Sequence, residues 1–512
     1  MKKLLALLLS VSLMLCGLIL PAAAEGDTLI VVLASDPVSY NPDAAMDDPT
    51  LMVLENVLSK LICFDYAGNL MPDLATSWDV SEDGLTVTFH LREGVKWHDG
   101  EPFTSADVKW SLEKIAAEGY SSTSLANMTA CDTPDDNTVV LTLAQPDSSL
   151  IYNLAYYGMY ILPKHLYDGQ DWLTCDAATV KPIGTGAYKF ADHQKSVSVT
   201  LTANEDYYGE KPGCDTVIYS IIPDTNTAVQ AFLNGEVDYL GTSAPASELE
   251  NLAAQGANVY SRPFASRYYI CYNMRREALQ DVNVRLAIAK AIDRQEILDK
   301  ALSGQGQVAE GFAPIAIEWA YNGDDVVPAK DVEGAIALLE NAGYTRDADG
   351  YFLTLTCPTM AGDDFVNVTT VVKAQLKEIG VNLVMNTMDD GAFVGVVMAE
   401  DPDFDLTIIS GFAGPDASAM QTRVGTTGAM NLMGYSNPEV DECYAKANLT
   451  SDQAERAVYF KQAQKLLSED LPIVPLTEVV ITEVSASYLQ DTPFSAPNLC
   501  TIGQLHTIKI VK

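Results

Sequence analysis

The chain has 512 residues, of which 48% are hydrophobic and 20% charged, enough apolar content for two or three domains with their own cores. Its formal net charge of −38 excludes nucleic acid and anionic lipid as natural partners. The acidic residues are scattered rather than blocked, the pattern of a solvated acidic surface and not of an acidic tail or a cation-collecting patch.

Met1-Lys2-Lys3, the apolar run from Leu4 to Leu20 and Pro21-Ala22-Ala23-Ala24 read as a secretory signal cleaved before Glu25, so the protein is expected to be exported. Leu15 stands before Cys16 where lipid attachment calls for a small residue, and Leu18-Ile19-Leu20 continues the apolar core. Cys16 is therefore read as part of that core, with a lipid anchor at Cys16 as the alternative. The remaining cysteines (Cys63, Cys131, Cys175, Cys214, Cys271, Cys357, Cys443 and Cys500) are widely spaced and form no C-x-x-C, which argues against a zinc or thioredoxin-like centre. Export permits disulfides, and both bridges and buried thiols stay open.

In chain order, the β-branched run Thr28 to Leu33 predicts a strand, and Asp48 to Leu61 a helix with Leu51, Leu54, Val57, Leu58 and Leu61 inward. Between Pro72 and Lys114, Ser81 to Gly84 is a turn, and Leu85, Val87, Phe89 and Leu91 alternate as in a half-buried strand. Val95 to His98 is expected to return as a short strand leading to the turn dipeptide Asp99-Gly100. Thr104 and Asp107 form a capping box before a helix whose inward face is Val108, Leu112 and Ile115. A strand at Asn137 to Leu143 follows. The tyrosines between Ile151 and Leu162 are read as core packing rather than as a stacking surface. Gly184-Thr185-Gly186 lacks the spacing of a phosphate loop. Thr216 to Pro223 predicts a strand and Asp224 to Asn234 a helix ending at Gly235. Gly241 to Ser247 is a polar loop after a strand, the place where α/β sheets hold ligands, so Thr242 and Ser243 are candidate ligand contacts.

Tyr268 to Tyr272 does not alternate and reads as a strand buried on both faces. A single helix is expected through Val282, Leu286, Ala289, Ile292 and Ile297 to Gly304. Asp331 caps another that closes at Gly343, and a third closes at Gly380. Asp347 to Gly350 lacks the further ligands of a calcium loop and reads as a turn. Asp403 to Ile409 predicts a strand. Ser451 is expected to cap a long helix with Ala454, Val458, Ala463 and Leu467 inward, before a strand at Leu471 to Leu476. No linker, low-complexity tract or internal repeat interrupts this series, and there is no G-x-S-x-G, H-E-x-x-H or Cys-His signature. The five histidines are dispersed. An enzyme is not expected, and neither a cofactor nor a resident metal.

The stretch Trp78, Ser81, Asp83, Gly84, Phe89, Leu91, Arg92, Gly94, Val95, Trp97, Asp99, Gly100, Pro102, Phe103, Asp107 and Val108 resembles the signature of the family 5 extracellular solute-binding proteins, the peptide- and nickel-binding receptors of ABC importers. The run from Asp281 to Ile297 is a second strong likeness, and the resemblance covers nearly everything from Thr28 onward. It implies an α/β, two-lobed periplasmic-binding-protein-like fold of the Venus-flytrap type, of the large class with an extra subdomain in lobe I. Residues 1–24 would be the signal, 25–263 lobe I with the subdomain at about 55–182, 264–480 lobe II, and 481–512 a return to lobe I. The implied function is capture of a small ligand, a peptide first of all, and delivery to a membrane-embedded ABC permease by a monomer in the periplasm or at the cell surface. A secreted hydrolase or a sensory receptor on the same scaffold, and a nickel chelate, opine or sugar as ligand, are the alternatives.

The resemblance also places the loop carrying Tyr40 and Asn41 at the mouth of the cleft and Asn273 near the hinge. In the dipeptide-binding branch a Gly-Trp-Thr-Gly-Asp-like loop offers a carboxylate to the peptide amino terminus. Here the loop reads Gly411-Phe412-Ala413-Gly414-Pro415-Asp416, with Phe for Trp and the aspartate one place late, which puts dipeptide specificity in doubt. Asp416 is open to two roles, an amine contact or a helix cap. Arg423 is open to pairing with an anionic ligand group or with Asp416 itself. The candidate contacts from this loop onward are Gly411, Phe412, Gly414, Asp416 and Arg423.

Overall fold

A computed structural model describes residues 27–45, 47–65, 69–156, 158–241, 243–324, 326–412, 414, 416–492 and 503–511. The signal segment, Cys16, Thr242 and Cys500 lie outside them, as does the side chain of Phe412. The strands in chain order are β1 (Thr28–Leu33), β2 (Ile62–Phe64), β3 (Leu70–Pro72), β4 (Ala75–Val80), β5 (Thr86–Leu91), β6 (Met128–Asp135), β7 (Thr138–Leu143), β8 (Tyr188–Gln194), β9 (Ser198–Ala203) and β10 (Thr216–Ile221). They continue as β11 (Tyr239–Gly241), β12 (Asn258–Tyr272), β13 (Gln307–Val308), β14 (Leu353–Met360), β15 (Val381–Met388), β16 (Leu406–Phe412), β17 (Ile473–Ser485), β18 (Leu489–Gln490) and β19 (Lys509–Ile510). The helices of six residues or more are α1 (Asp48–Val57), α2 (Ser105–Glu118), α3 (Ser149–Leu154), α4 (Thr225–Leu233), α5 (Ala246–Ala254) and α6 (Val282–Ala291). After them come α7 (Arg294–Ala301), α8 (Val332–Asn341), α9 (Asp363–Glu378), α10 (Asp390–Val397), α11 (Pro438–Asn448) and α12 (Gln453–Asp470).

A mixed sheet in the order β16-β12-β17-β11-β1-β10-β9-β8 runs through the molecule, with β13 added against β17. Its chain-distant neighbours come from β12 and β17, which lie antiparallel along most of their length. The apolar side chains separate into two large cores. One draws on residues from Leu29 to Tyr239 and again from Ala486 to Ile508. The other draws only on residues from Ala265 to Leu476. β12 and β17 are the strands that pass from one core to the other. Between the pairs Pro263↔Val480 and Arg267↔Glu478 their register shifts, three residues of β12 facing one of β17. A bulge of this kind bends a strand and loosens its ladder.

The signature stretch builds a four-stranded sheet, β4-β5-β7-β6, with α2 beside it. The hairpin partner of β5 is β4, across the Ser81–Gly84 turn, with Trp78 opposite Phe89. Val95 to His98, expected to return as a strand, makes a single bridge from Lys96 to Pro102. The reason is local: Trp97 bonds Glu101 O at 2.8 Å, Gly100 bonds Trp97 O at 2.9 Å, and the tight turn leaves no length for a ladder. Thr104 and Asp107 do form the capping box, the Thr104 N–H donating to Asp107 Oδ2 at 2.9 Å. Arg92 lies over the Tyr208 ring at 5.1 Å and donates to Asp73 O at 3.3 Å, which ties the hairpin to the body of lobe I.

Five further expectations are corrected. α1 ends at Val57, because Leu58 turns extended and Ser59 bridges to Ile161. The single helix expected from Val282 is two, since Ile292 is extended and Asp293 accepts the Glu296 N–H at 3.0 Å to cap a new start. The strand expected from Asp403 begins at Leu406, because Asp405 Oδ2 is occupied by the Thr356 N–H and hydroxyl. The cap of α12 is Asp452, which accepts the Glu455 N–H at 2.9 Å, and not Ser451. The inward face of that helix is also rotated: Val458 is 62% exposed, while Arg456, Phe460, Ala463, Gln464 and Leu467 are buried. The described cysteines, Cys63, Cys131, Cys175, Cys214, Cys271, Cys357 and Cys443, are free thiols.

Gly184-Thr185-Gly186 is a close-approach segment. A Cβ on Gly184 would fall 1.8 Å from Val57 O, and one on Gly186 2.6 Å from Asn56 O. Removing the side chain lets Gly186 N–H reach Val57 O at 2.9 Å and His98 N–H reach Gly184 O at 2.9 Å. Gly184→Ala is expected to destabilise the protein by about 2–3 kcal/mol, as overpacking against fixed backbone does. Urea denaturation of the two proteins checks it, and equal midpoints would contradict the close approach.

Candidate functional site

The loop after β16 is organised by an ion pair that the sequence did not reveal. Asp416 accepts the Ser418 N–H at 3.1 Å and so caps a one-turn helix, Ala417–Met420. Its carboxylate also receives both terminal nitrogens of Arg456, at 3.0 and 2.6 Å, with each side chain only 1% exposed. Arg456 Nε donates to Ala447 O at 3.1 Å. The guanidinium sits 5.4 Å from Tyr152, 5.4 Å from Trp319 and 5.3 Å from Phe460. A bidentate, buried pair of this kind leaves little of the carboxylate for a ligand amine. Of the two roles open to Asp416, the structure displays the cap, joined to an ion pair with Arg456.

Arg423 does not pair with Asp416; its Nε donates to Tyr269 Oη at 2.9 Å. Gly411 makes room for it, since a Cβ there would meet Arg423 Nη2 at 2.9 Å. Gly414 has φ +86°, and a Cβ on it would fall 2.2 Å from Ala419 Cβ. Gly411, Gly414, Asp416 and Arg423 are thus gathered at one end of β16. Thr242 and the side chain of Phe412 lie outside the described residues.

The other described candidates have partners inside the fold. Tyr40 is buried, edge-on to Phe190 at 5.0 Å, with its hydroxyl 2.9 Å from His193 Nδ1. The far side of that imidazole is 2.9 Å from Asp36, whose carboxyl is held below its usual range by the Ser196 N–H and then by His193. Asn41 donates to Trp172 O at 2.6 Å and accepts the Asp43 N–H. Asn273 donates to Pro402 O at 3.1 Å and Phe404 O at 2.9 Å, and Ser243 N–H reaches Leu240 O at 3.1 Å. Asp43 is a group that pattern reading passed over. It accepts the Tyr120 N–H through Oδ1, while Oδ2 is buried with no partner, and burial pushes its carboxyl up to about 7 against that hydrogen bond.

A strap joins the segment that feeds one apolar core to the segment that feeds the other. Ser148, just before α3, donates its N–H to Asn448 O and its hydroxyl to Ala447 O, each at 3.1 Å. These are the last carbonyls of α11, which have no partner inside their own helix. Tyr152, on the same short helix α3, covers Arg456, and burial raises its hydroxyl above the ordinary tyrosine range. One cavity of about 560 Å³ opens beside the strap toward Trp78, Val80 and Ile151. A second of about 540 Å³ opens beside it toward Thr123, Asn153 and Thr422. Both lie within the range of ligand pockets. Among the described residues no group of three His, Cys, Asp or Glu side chains is gathered as a metal site requires, and no helix is long and apolar enough to cross a membrane.

Residues 69–431 match the bacterial extracellular solute-binding proteins, family 5 Middle. The chain is 26% identical over 506 residues to the dipeptide-binding protein of Escherichia coli (strain K12), covering 93% of this chain and 94% of that one. The solved oligopeptide-binding protein AppA from Bacillus subtilis, in complex with a nonapeptide, superposes with a TM-score of 0.75 at 25% identity, covering 95% of this chain and 99% of the other. NikZ from Campylobacter jejuni, in complex with Ni(L-His), gives a TM-score of 0.77 at 26% identity, covering 94% and 99%.

Two predictions follow from this geometry. Ser148→Ala combined with Tyr152→Leu removes one hydrogen bond and one ring-cation contact across the strap, and is expected to move the open–closed equilibrium of the ligand-free protein about tenfold toward open. Small-angle scattering should show a larger radius of gyration for the variant; superimposable profiles would contradict it. For Asp43, the folded state keeps the proton up to about pH 7, against 3.8 for an ordinary aspartate. A carboxyl raised on folding contributes its full stability below the unfolded value and loses it as pH rises through the folded one. Asp43→Asn should therefore flatten the decline in melting temperature between about pH 4 and pH 7, measured by calorimetry against the parent at each pH.

Proposed function

Because the chain belongs to the bacterial extracellular solute-binding proteins of family 5, we propose that it captures a peptide between its two lobes and delivers it to an ABC-type permease. The observation that carries the reading is the likeness, over 93% of this chain, to a dipeptide-binding protein. The nonapeptide complex of AppA supports peptide as the class while leaving length open. No bond is made or broken in this function, since the family binds solutes.

The mechanism is a shift between an open and a closed form. Lobe I is read as 25–263 with its subdomain at about 55–182, lobe II as 264–480, and 481–512 as the return to lobe I. The separate apolar cores and the register shift of β12 against β17 at Pro263 to Arg267 support that division. Rotation about this bulge opens and closes the cleft, and a ligand that touches both lobes binds the closed form better. The permease then recognises the closed form. An extended peptide is held through its main chain, which every peptide shares. The candidate contacts Gly411, Gly414 and Arg423 stand at the lobe II end of that cleft, with Phe412 between them in sequence. Export through the signal at 1–24 without a lipid on Cys16 completes the reading, and the protein acts as a monomer.

A ligand bound only by the native state must stabilise it, by about 2.7 kcal/mol at a hundredfold excess over Kd. Pools of short peptides are expected to raise the melting temperature by several degrees, and native mass spectrometry of freshly purified protein to show a co-purified peptide mass. A protein that answers to no peptide pool but to a sugar or nickel chelate would overturn the choice of ligand.

A further inference from the structure

We propose that the 540 Å³ cavity beside the strap receives a neutral, hydrogen-bonding part of the ligand, an amide or hydroxyl side chain, in preference to an apolar or charged one. The proposal rests on the peptide reading and adds the chemistry of one subsite to it. Lobe I contributes Thr123, Ser124 and Asn153 to the wall, and lobe II contributes Gln421, Thr422 and Asn448. Among the described residues lining it there is no aromatic ring, and its one large aliphatic side chain, Leu449, is mostly solvent-exposed.

Charge is spent before a ligand arrives. Asp147 is the single ionisable side chain on this wall, and both its oxygens are engaged within lobe I. Oδ2 accepts from Asn127 Nδ2 at 2.9 Å, and Oδ1 accepts the Ser149 N–H at 3.1 Å and its hydroxyl at 2.6 Å. A carboxylate satisfied in this way holds its own loop and offers little to a cationic side chain. The amides opposite are less well served. Asn448 Oδ1 is buried with no partner, and Asn448 Nδ2 reaches Gln421 Oε1 only at 3.4 Å. Asn448 lines the cavities on both sides of the strap, whereas Asn153, Gln421 and Thr422 line this one alone, and a ligand donor or acceptor that bonds them is favoured over hydrocarbon that covers them.

The cavity on the other side of the strap differs in what it carries: Trp78 and Tyr152 supply aromatic rings there, and Asp79, Glu82 and the already paired Arg456 supply charge. Among its described residues the 540 Å³ cavity has neither aromatic rings nor an unengaged charge, so neutral hydrogen-bonding groups are what this wall offers a ligand.

Two tetrapeptide pools without charged side chains, one built from Ser, Thr, Asn and Gln and one from Leu, Ile, Val and Phe, test the assignment by melting-temperature shift and titration calorimetry on the mature protein. The polar pool is expected to bind about tenfold tighter, the effect of one or two extra satisfied hydrogen bonds. Asn153→Leu and, separately, Gln421→Leu should shrink that ratio to about threefold or less, chiefly by weakening the polar pool. Circular dichroism and the unliganded melting temperature establish that each variant is folded. Equal affinities for the two pools, preference for the apolar pool, or a ratio untouched by either folded variant would overturn the assignment and leave the peptide reading standing. A wild-type protein unmoved by both pools would overturn the peptide reading and this proposal with it.

Discussion

The Asp416–Arg456 pair is the interaction on which the arrangement between the lobes depends. Two full charges at 1% exposure are tolerable only because each is saturated: the carboxylate by a guanidinium and a helix N–H, the guanidinium by that carboxylate, a carbonyl and aromatic faces. In meeting those demands the pair joins the loop at Asp416 to α12, 40 positions on, and α12 to the end of α11. It fixes the loop after β16, sets the face of α12 that turns inward, and holds Ala447 O where Ser148 can reach it. Breaking one partner of such a pair leaves a buried charge alone, a cost of about 3–5 kcal/mol.

The second constraint is continuity of backbone through two cores. β12 and β17 belong to both lobes, so the lobes cannot separate without bending these strands. The register shift near Pro263 and Arg267 provides a place to bend. On the lobe II side it is followed at once by Arg267, whose guanidinium donates to Gly311 O at 3.1 Å and to Phe312 O, and which faces Glu478. Glu478 is in turn held by Gln307 Nε2 at 2.8 Å and by the Ile315 N–H at 3.1 Å. These bonds fasten both strands on the Arg267 side of the shift.

The signature hairpin has a supporting role of the same sort. Its turns, its capping box and Arg92 over Tyr208 lock a small sheet against lobe I, and Gly84 in its first turn lies within contact of Pro146 at the root of the strap. Its turns and cap therefore help to position the strap. The buried group Glu55, Lys60 and Tyr160 beneath it is likewise internally satisfied, with Lys60 Nζ at 2.8 and 2.7 Å from the two Glu55 oxygens.

The elements legible in the sequence are those fixed by nearest neighbours. Thr28–Leu33, Thr138–Leu143 and Thr216–Ile221 are strands because β-branched and aliphatic residues alternate or run together there. Asp224, Asp331 and Thr104 start helices because their side chains cap the next turn within three residues. The cap role of Asp416 was legible, but which way α12 faces, and the ion pair of Asp416, were not, because both involve a partner 40 positions away that carries no local pattern. Arg456 lies in a polar, uniform helix sequence, where periodicity favours Val458; a buried counter-charge overrode it. Tyr40 and Asn41 look like exposed loop residues, yet His193 and Trp172, more than a hundred residues on, draw them into the core. Local spacing determined the elements and the family likeness. Long-range pairing of charges and backbone groups decided which side chains are spent on structure and which are left to meet a ligand.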